Sequence, residues 1–74
     1  MKQNLTSLSM GEESRLIDIL DKNLKNRLME MGLRLGAPVK IVRKAPLGGA
    51  CIIQSKSLSI AIRTQQLDKI IVEN

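Results

Sequence analysis

The 74 residues include no Phe, Tyr or Trp and no His, with one Cys and two Pro. The missing aromatics exclude base-stacking surfaces of the RNA-recognition and single-strand-binding kind. They also exclude the aromatic grooves that read Pro-rich peptides. Without histidine there is no Ser-His or Cys-His nucleophile and no imidazole acid or base. Zinc or iron sites built from His and Cys clusters fail by count. Cys51 has no internal partner for a disulfide, the staple that a secreted domain this small normally needs. Long apolar runs are missing too. The longest is Ala50–Ile53, far short of a membrane span. Residues 1–13 hold no apolar run of signal-peptide length, so a cytoplasmic location is expected, without direct membrane insertion.

What is present is aliphatic. Eleven Leu, nine Ile, three Val, four Ala, four Met and the Cys make 43% of the chain. That is too apolar for disorder, and the length suits one small domain over 1–74. The formal charge is +5, unevenly spread. Residues 1–21 set Lys2 and Arg15 against Glu12, Glu13, Asp18 and Asp21, a net of −2. Residues 22–44 set Lys22, Lys25, Arg27, Arg34, Lys40, Arg43 and Lys44 against Glu30 alone, a net of +6. Residues 45–74 carry +1. The middle third is thus a candidate basic face for an anionic partner.

Local patterns give the expected elements. Asn4–Leu8 reads as a short strand ending before the Gly11 turn. In Glu13–Leu20, Arg15, Ile17 and Ile19 alternate with Leu16, Asp18 and Leu20, which predicts a strand. Asp21 can cap a helix over 22–31, with Leu24, Leu28 and Met31 on one face. Gly32 stands where a left-handed C-terminal cap is wanted, and Leu33 can pack back onto the last turn. Arg34-Leu35-Gly36 predicts a turn. Pro38–Lys44 predicts a strand with Val39, Ile41 and Arg43 on one face. Pro46-Leu47-Gly48-Gly49 marks another turn. Ala50–Gln54 and Leu58–Arg63 predict a hairpin across Ser55-Lys56-Ser57. Thr64–Lys69 reads as a polar bridge holding Leu67, and Ile70–Glu73 as a final strand. Five to six short strands with one short helix make a mainly β protein. A small barrel is expected, because closure removes sheet edges.

Little chemistry is encoded. Glu12 and Glu13 would point to opposite faces of a strand, so they form no acid/base pair. Gly48-Gly49 lacks the Lys-Ser/Thr of a phosphate loop. The chain is therefore not expected to be an enzyme, and no cofactor is assigned. Cys51 sits in an apolar run and reads as a buried, inert thiol. The remaining candidates are a basic helix and two loops. An exposed Leu35 or Leu47 there would signal a protein contact.

Arg27-Leu28-Met29-Glu30-Met31-Gly32-Leu33-Arg34-Leu35-Gly36-Ala37-Pro38-Val39 resembles the FeoA family of ferrous iron transport proteins. Ala45-Pro46-Leu47-Gly48-Gly49, Ser59-Ile60-Ala61-Ile62-Arg63 and Ile70-Ile71-Val72 agree with that family in order, as does the opening Leu5–Gly11. Leu35 stands where the family usually has Pro, Gly49-Ala50 replaces a frequent Asp-Pro, and Ser55-Lys56-Ser57 lacks the usual turn glycine. The resemblance implies an SH3-like barrel. It also implies a small cytoplasmic accessory that binds the membrane transporter FeoB, which carries a cytoplasmic GTP-binding domain, and modulates iron uptake. The residues so assigned to partner binding are Arg27, Leu28, Met31, Leu33, Arg34, Leu35, Leu47 and Gly48. The family is similar to SH3-like domains of metal-dependent repressors and is labelled as binding transition metals on that ground, but no residue here is assigned to a metal. Self-association stays open.

A second reading is a basic nucleic-acid-binding module. Arg27 to Gly36 followed by a strand is loosely similar to swapped-hairpin transition-state regulators, and the basic segment would supply phosphate contacts. Those regulators follow the second glycine with an acid, where this chain has Ala37, so nucleic acid is not the expected partner. A metal-sensing regulator fragment is a third reading, one that requires a DNA-reading domain this chain lacks.

Overall fold

The computed structural model describes residues 1–45 and 49–74. Six strands form one antiparallel sheet: β1 (Lys2–Asn4), β2 (Glu13–Ile19), β3 (Pro38–Lys44), β4 (Ala50–Ser55), β5 (Leu58–Arg63) and β6 (Ile70–Glu73). One helix, α1 (Lys22–Glu30), lies between β2 and β3. Two 3-10 helices, Leu5–Ser7 and Thr64–Lys69, precede β2 and β6. The strand order is β1-β6-β2-β3-β4-β5. Among the described residues no ladder joins β1 to β5, so backbone pairing does not close the barrel as expected. The 3-10 helix Thr64–Lys69 packs against both of these strands and spans the gap. Its Leu67 is buried, which is why a polar segment keeps one leucine.

The core is wholly aliphatic apart from Cys51. It runs from Leu5 and Leu8 through Leu16, Ile19, Leu24, Leu28, Leu33, Val39 and Ile41 to Ile53, Ile60, Ile62, Ile70 and Val72. In the β4–β5 hairpin, Cys51 lies opposite Ile62 and Ile53 opposite Ile60, all four facing inward. Directly paired residues of an antiparallel ladder share a face, so one alternation serves both strands.

Two bulges change the faces that simple alternation predicts. Against β6, β2 pairs Leu16 with Val72 but Asp18 with Ile71. The extra residue moves the inward position from 18 to Ile19, leaving Ile17 half-buried and Leu20 exposed. Against β4, β3 pairs Ile41 with Ile53 but Arg43 with Ile52. Arg43 therefore does not share the inward face of Val39 and Ile41, and Val42 is exposed. Lys44 lies opposite buried Cys51 and carries its Nζ out to the Leu8 carbonyl at 3.4 Å.

The other departure is at the start of the chain. The strand expected over Asn4–Leu8 lies earlier, at Lys2–Asn4, paired to β6. Leu5–Ser7 is instead a 3-10 turn capped by the Asn4 side chain, which accepts the Thr6 N–H at 3.1 Å. Leu5 and Leu8, three apart, then face the same way into the core.

Candidate partner-binding surface

The Asp21 carboxylate accepts the Leu24 N–H at 2.9 Å and so fixes the start of α1. Leu24 and Leu28, four apart, are buried against the sheet. At the far end Gly32 takes a φ of 108°. Its N–H donates to the Met29 carbonyl at 3.1 Å, and the Leu33 N–H donates to the Leu28 carbonyl at 3.0 Å. This pair of bonds is a Schellman cap, and it carries Leu33 back into the core. The Arg34 guanidinium adds a second closure. Its Nη1 donates to the Met29 and Leu33 carbonyls at 2.9 and 3.0 Å, quieting the negative end of the helix.

A turn follows at once. The Ala37 N–H donates to the Arg34 carbonyl at 3.2 Å, with Gly36 at a φ of 90°. Positive φ at the third position makes this a type II turn. It is anchored to β2, because the Gly36 N–H donates to the Leu16 carbonyl at 2.7 Å and the Leu16 N–H to the Ala37 carbonyl at 2.8 Å.

These constraints sort the expected partner-binding residues. Leu28 and Leu33 are fully enclosed in this chain and hold the segment down, so their side chains are not part of its exposed surface. Met31 and Leu35 are 46% and 45% exposed, on either side of the cap. Met31, the C-cap, does not join the buried stripe of Leu24 and Leu28; the next buried apolar residue is Leu33, beyond the cap. Arg27 and Arg34 are exposed beside them, and Arg27 Nη2 reaches Gln66 Oε1 at 3.4 Å. Leu47 and Gly48 lie outside the described residues. Lys25, on the helix flank, pairs with Asp18 at 3.1 Å. Asp18 also accepts the Ile19 N–H at 2.8 Å; that bond first, and Lys25 second, hold its carboxyl below the usual range.

Sequence reasoning missed what lies opposite. The β4–β5 turn, Ser55–Leu58, faces Gly32, Arg34 and Ala37 across a cleft of about 180 Å³. Lys56 sits in that turn at a φ of 57°, a conformation usual for Gly or Asn. The signal available was a two-residue hairpin without a glycine; the packing of the hairpin beside the helix exit is non-local. A second, larger and more open cleft of about 380 Å³ lies between β2, β6 and Gly36, with Arg15 and Glu73 in its wall. No helix among the described residues is long and apolar enough to cross a membrane.

A family model described as the FeoA domain matches residues 3–74. The chain belongs to the FeoA family. Among solved structures, it is 26% identical to an iron uptake regulatory protein, FeoA, with a TM-score of 0.79 over 99% of this chain and 96% of that one. It is 26% identical to FeoA of Chlorobium tepidum, with a TM-score of 0.85 over 96% of this chain and 69% of that one. Stenotrophomonas maltophilia FeoA, solved with zinc and described as a prokaryotic SH3 domain protein, matches at 22% identity and a TM-score of 0.79, over 96% of this chain and 89% of that one. The fold is thus SH3-like, as the sequence led us to expect, with the seam between β1 and β5 bridged by the 3-10 helix Thr64–Lys69 and not by a ladder. No curated protein matches. The sequence has no His, and among the described residues no three of Cys, Asp and Glu come together.

Proposed function

We propose that this chain is a small cytoplasmic accessory protein of ferrous iron uptake. In this reading it binds the cytoplasmic part of the membrane transporter FeoB and modulates it, with residues 1–74 acting as one SH3-like unit. It performs no catalysis and needs no cofactor. Membership of the FeoA family supports the iron-uptake role. The observation that carries the docking surface is the pairing of exposed Met31 and Leu35 across a rigid helix cap, flanked by Arg27 and Arg34. A backbone already fixed by the cap has little entropy left to lose on binding, and the neighbouring cations steer an acidic partner. Leu28 and Leu33 serve the same surface from beneath, by fixing its backbone.

The test is capture of the cytoplasmic part of FeoB by the purified, folded chain. Wild type binds, and Met31→Asp and Leu35→Asp each weaken binding while leaving the fold intact. Absence of binding by folded wild type from low to moderate salt would overturn the reading. Salt-dependent binding to duplex DNA in its place would favour the nucleic-acid reading.

A further inference from the structure

The cleft between the helix exit and the β4–β5 hairpin gathers two cations and two hydroxyls. Arg34 stands on one wall, and Ser55, Lys56 and Ser57 on the other. No Asp or Glu lines it among the described residues. Arg34 is already oriented. Its Nη1 is spent on two backbone carbonyls, which sets the plane of the guanidinium. Its Nε and Nη2 have no partner among the described residues, and a guanidinium offers five donors in a rigid fork. Lys56 is positioned at a cost. The Ser55–Leu58 pairing forces a two-residue loop, and Lys56 takes the left-handed region within it. For a residue with a Cβ that region is unfavourable, and strain of this sort gathers at binding sites. Ser55 is 6% exposed, a polar residue at the floor of the cleft.

Size narrows the ligand. A water occupies about 30 Å³ in the liquid, so about 180 Å³ admits one oxyanion head group and its last waters, not a folded element. One wall of the cleft, Gly32 and Arg34, adjoins Met31 and Leu35 in the chain. We propose that the Arg34–Lys56 cleft is an oxyanion subsite that takes one Asp or Glu carboxylate of the partner protein lying across Met31 and Leu35. The identity of the donor of that carboxylate rests on the docking reading above; the oxyanion chemistry does not. The net charge of +6 over residues 22–44 favours an acidic segment for the same reason.

The test titrates the isotope-labelled full chain with N-acetylglutamate and, separately, inorganic phosphate, at constant ionic strength. Amide shifts that saturate and stay within residues 32–37 and 55–58 support the subsite. Lys56→Gln keeps the hairpin and weakens N-acetylglutamate binding about tenfold, as loss of one charge-assisted contact should. Arg34→Gln does the same, with a well-dispersed spectrum as the control for its capping role. Shifts that fail to saturate, or that spread over Lys40, Arg43 and Lys44, overturn the proposal. Saturation by phosphate alone overturns the carboxylate assignment. Capture of the FeoB cytoplasmic part separates the two readings. If Lys56→Gln is captured as well as wild type, docking stands and the subsite falls. If wild type is not captured but the cleft still saturates with N-acetylglutamate, docking falls and the oxyanion site stands.

Discussion

The Leu33 N–H meets the Leu28 carbonyl at 3.0 Å, and both side chains are buried. That single relationship turns the chain back under the end of α1 and lifts Met31 and Leu35 into solvent. It also sets where Arg34 begins, and so where its guanidinium can reach the last carbonyls of the helix. Core and surface in residues 28–35 are thus two consequences of one cap.

The cap depends on Gly32. A Cβ there would meet only Leu58 Cδ2 at 3.7 Å, an ordinary contact, so space is not the obstacle. The φ of 108° is. Gly32→Ala should destabilise the protein by about 1–2 kcal/mol, the cost of placing an L side chain in the left-handed region. Urea unfolding with an unchanged m-value checks this.

Leu28 and Met31 were expected on the same helical face, yet they should respond very unequally. Leu28→Ala removes a fully enclosed side chain and should cost about 2–5 kcal/mol, a large share of the stability of so small a protein. Met31→Ala touches a half-exposed cap residue and should change stability by less than about 0.5 kcal/mol. Parallel denaturation curves measure both. An equal loss at the two positions would contradict the placement of Met31.

Where the sequence spoke through local chemistry, it was legible. Asp21 before the helix, Gly32 after it and the alternation of Leu58, Ile60 and Ile62 each act within a few residues, and the elements fall where these predict. Non-local effects were not legible. Nothing near Ile17 or Val42 marks a bulge; the slips arise because β2 and β3 must curve while pairing two neighbours each. Leu5 and Leu8 carried a 3-10 spacing, but with no longer period to amplify it the segment looked like a strand. The candidate surface divided likewise. Arg34 and Leu35 stood out in sequence, whereas Lys56 comes to line a cleft with Arg34 only because the hairpin packs beside the helix exit.

Leu35 occupies the second position of a type II turn, where Pro is favoured, and its N–H makes no backbone hydrogen bond among the described residues. Leu35→Pro should therefore stabilise the protein by about 0.4–1 kcal/mol, chiefly by restricting the unfolded chain. It also removes the flexible apolar tip. Thermal unfolding reads the first effect and capture of the FeoB cytoplasmic part the second. A variant that melts higher yet binds more weakly separates the turn's structural role from its contact role.

Asp18 gives the pH prediction its sign. Its folded carboxyl lies below the ordinary value of about 3.9, first through the Ile19 N–H and then through Lys25. A depressed carboxylate contributes stability above its unfolded pKa, and that contribution is lost as the pH falls through the folded value. The Lys25 pair is solvent-exposed, so the effect is modest and shrinks with added salt. Asp18→Asn should flatten the acid limb of the stability profile while leaving the neutral-to-basic slope unchanged. Lys25→Met should flatten it less, because the Ile19 N–H remains to hold the carboxylate. Unfolding free energies taken from neutral pH into the acid range check both variants, and an acid limb identical to wild type in Asp18→Asn would remove Asp18 from the account.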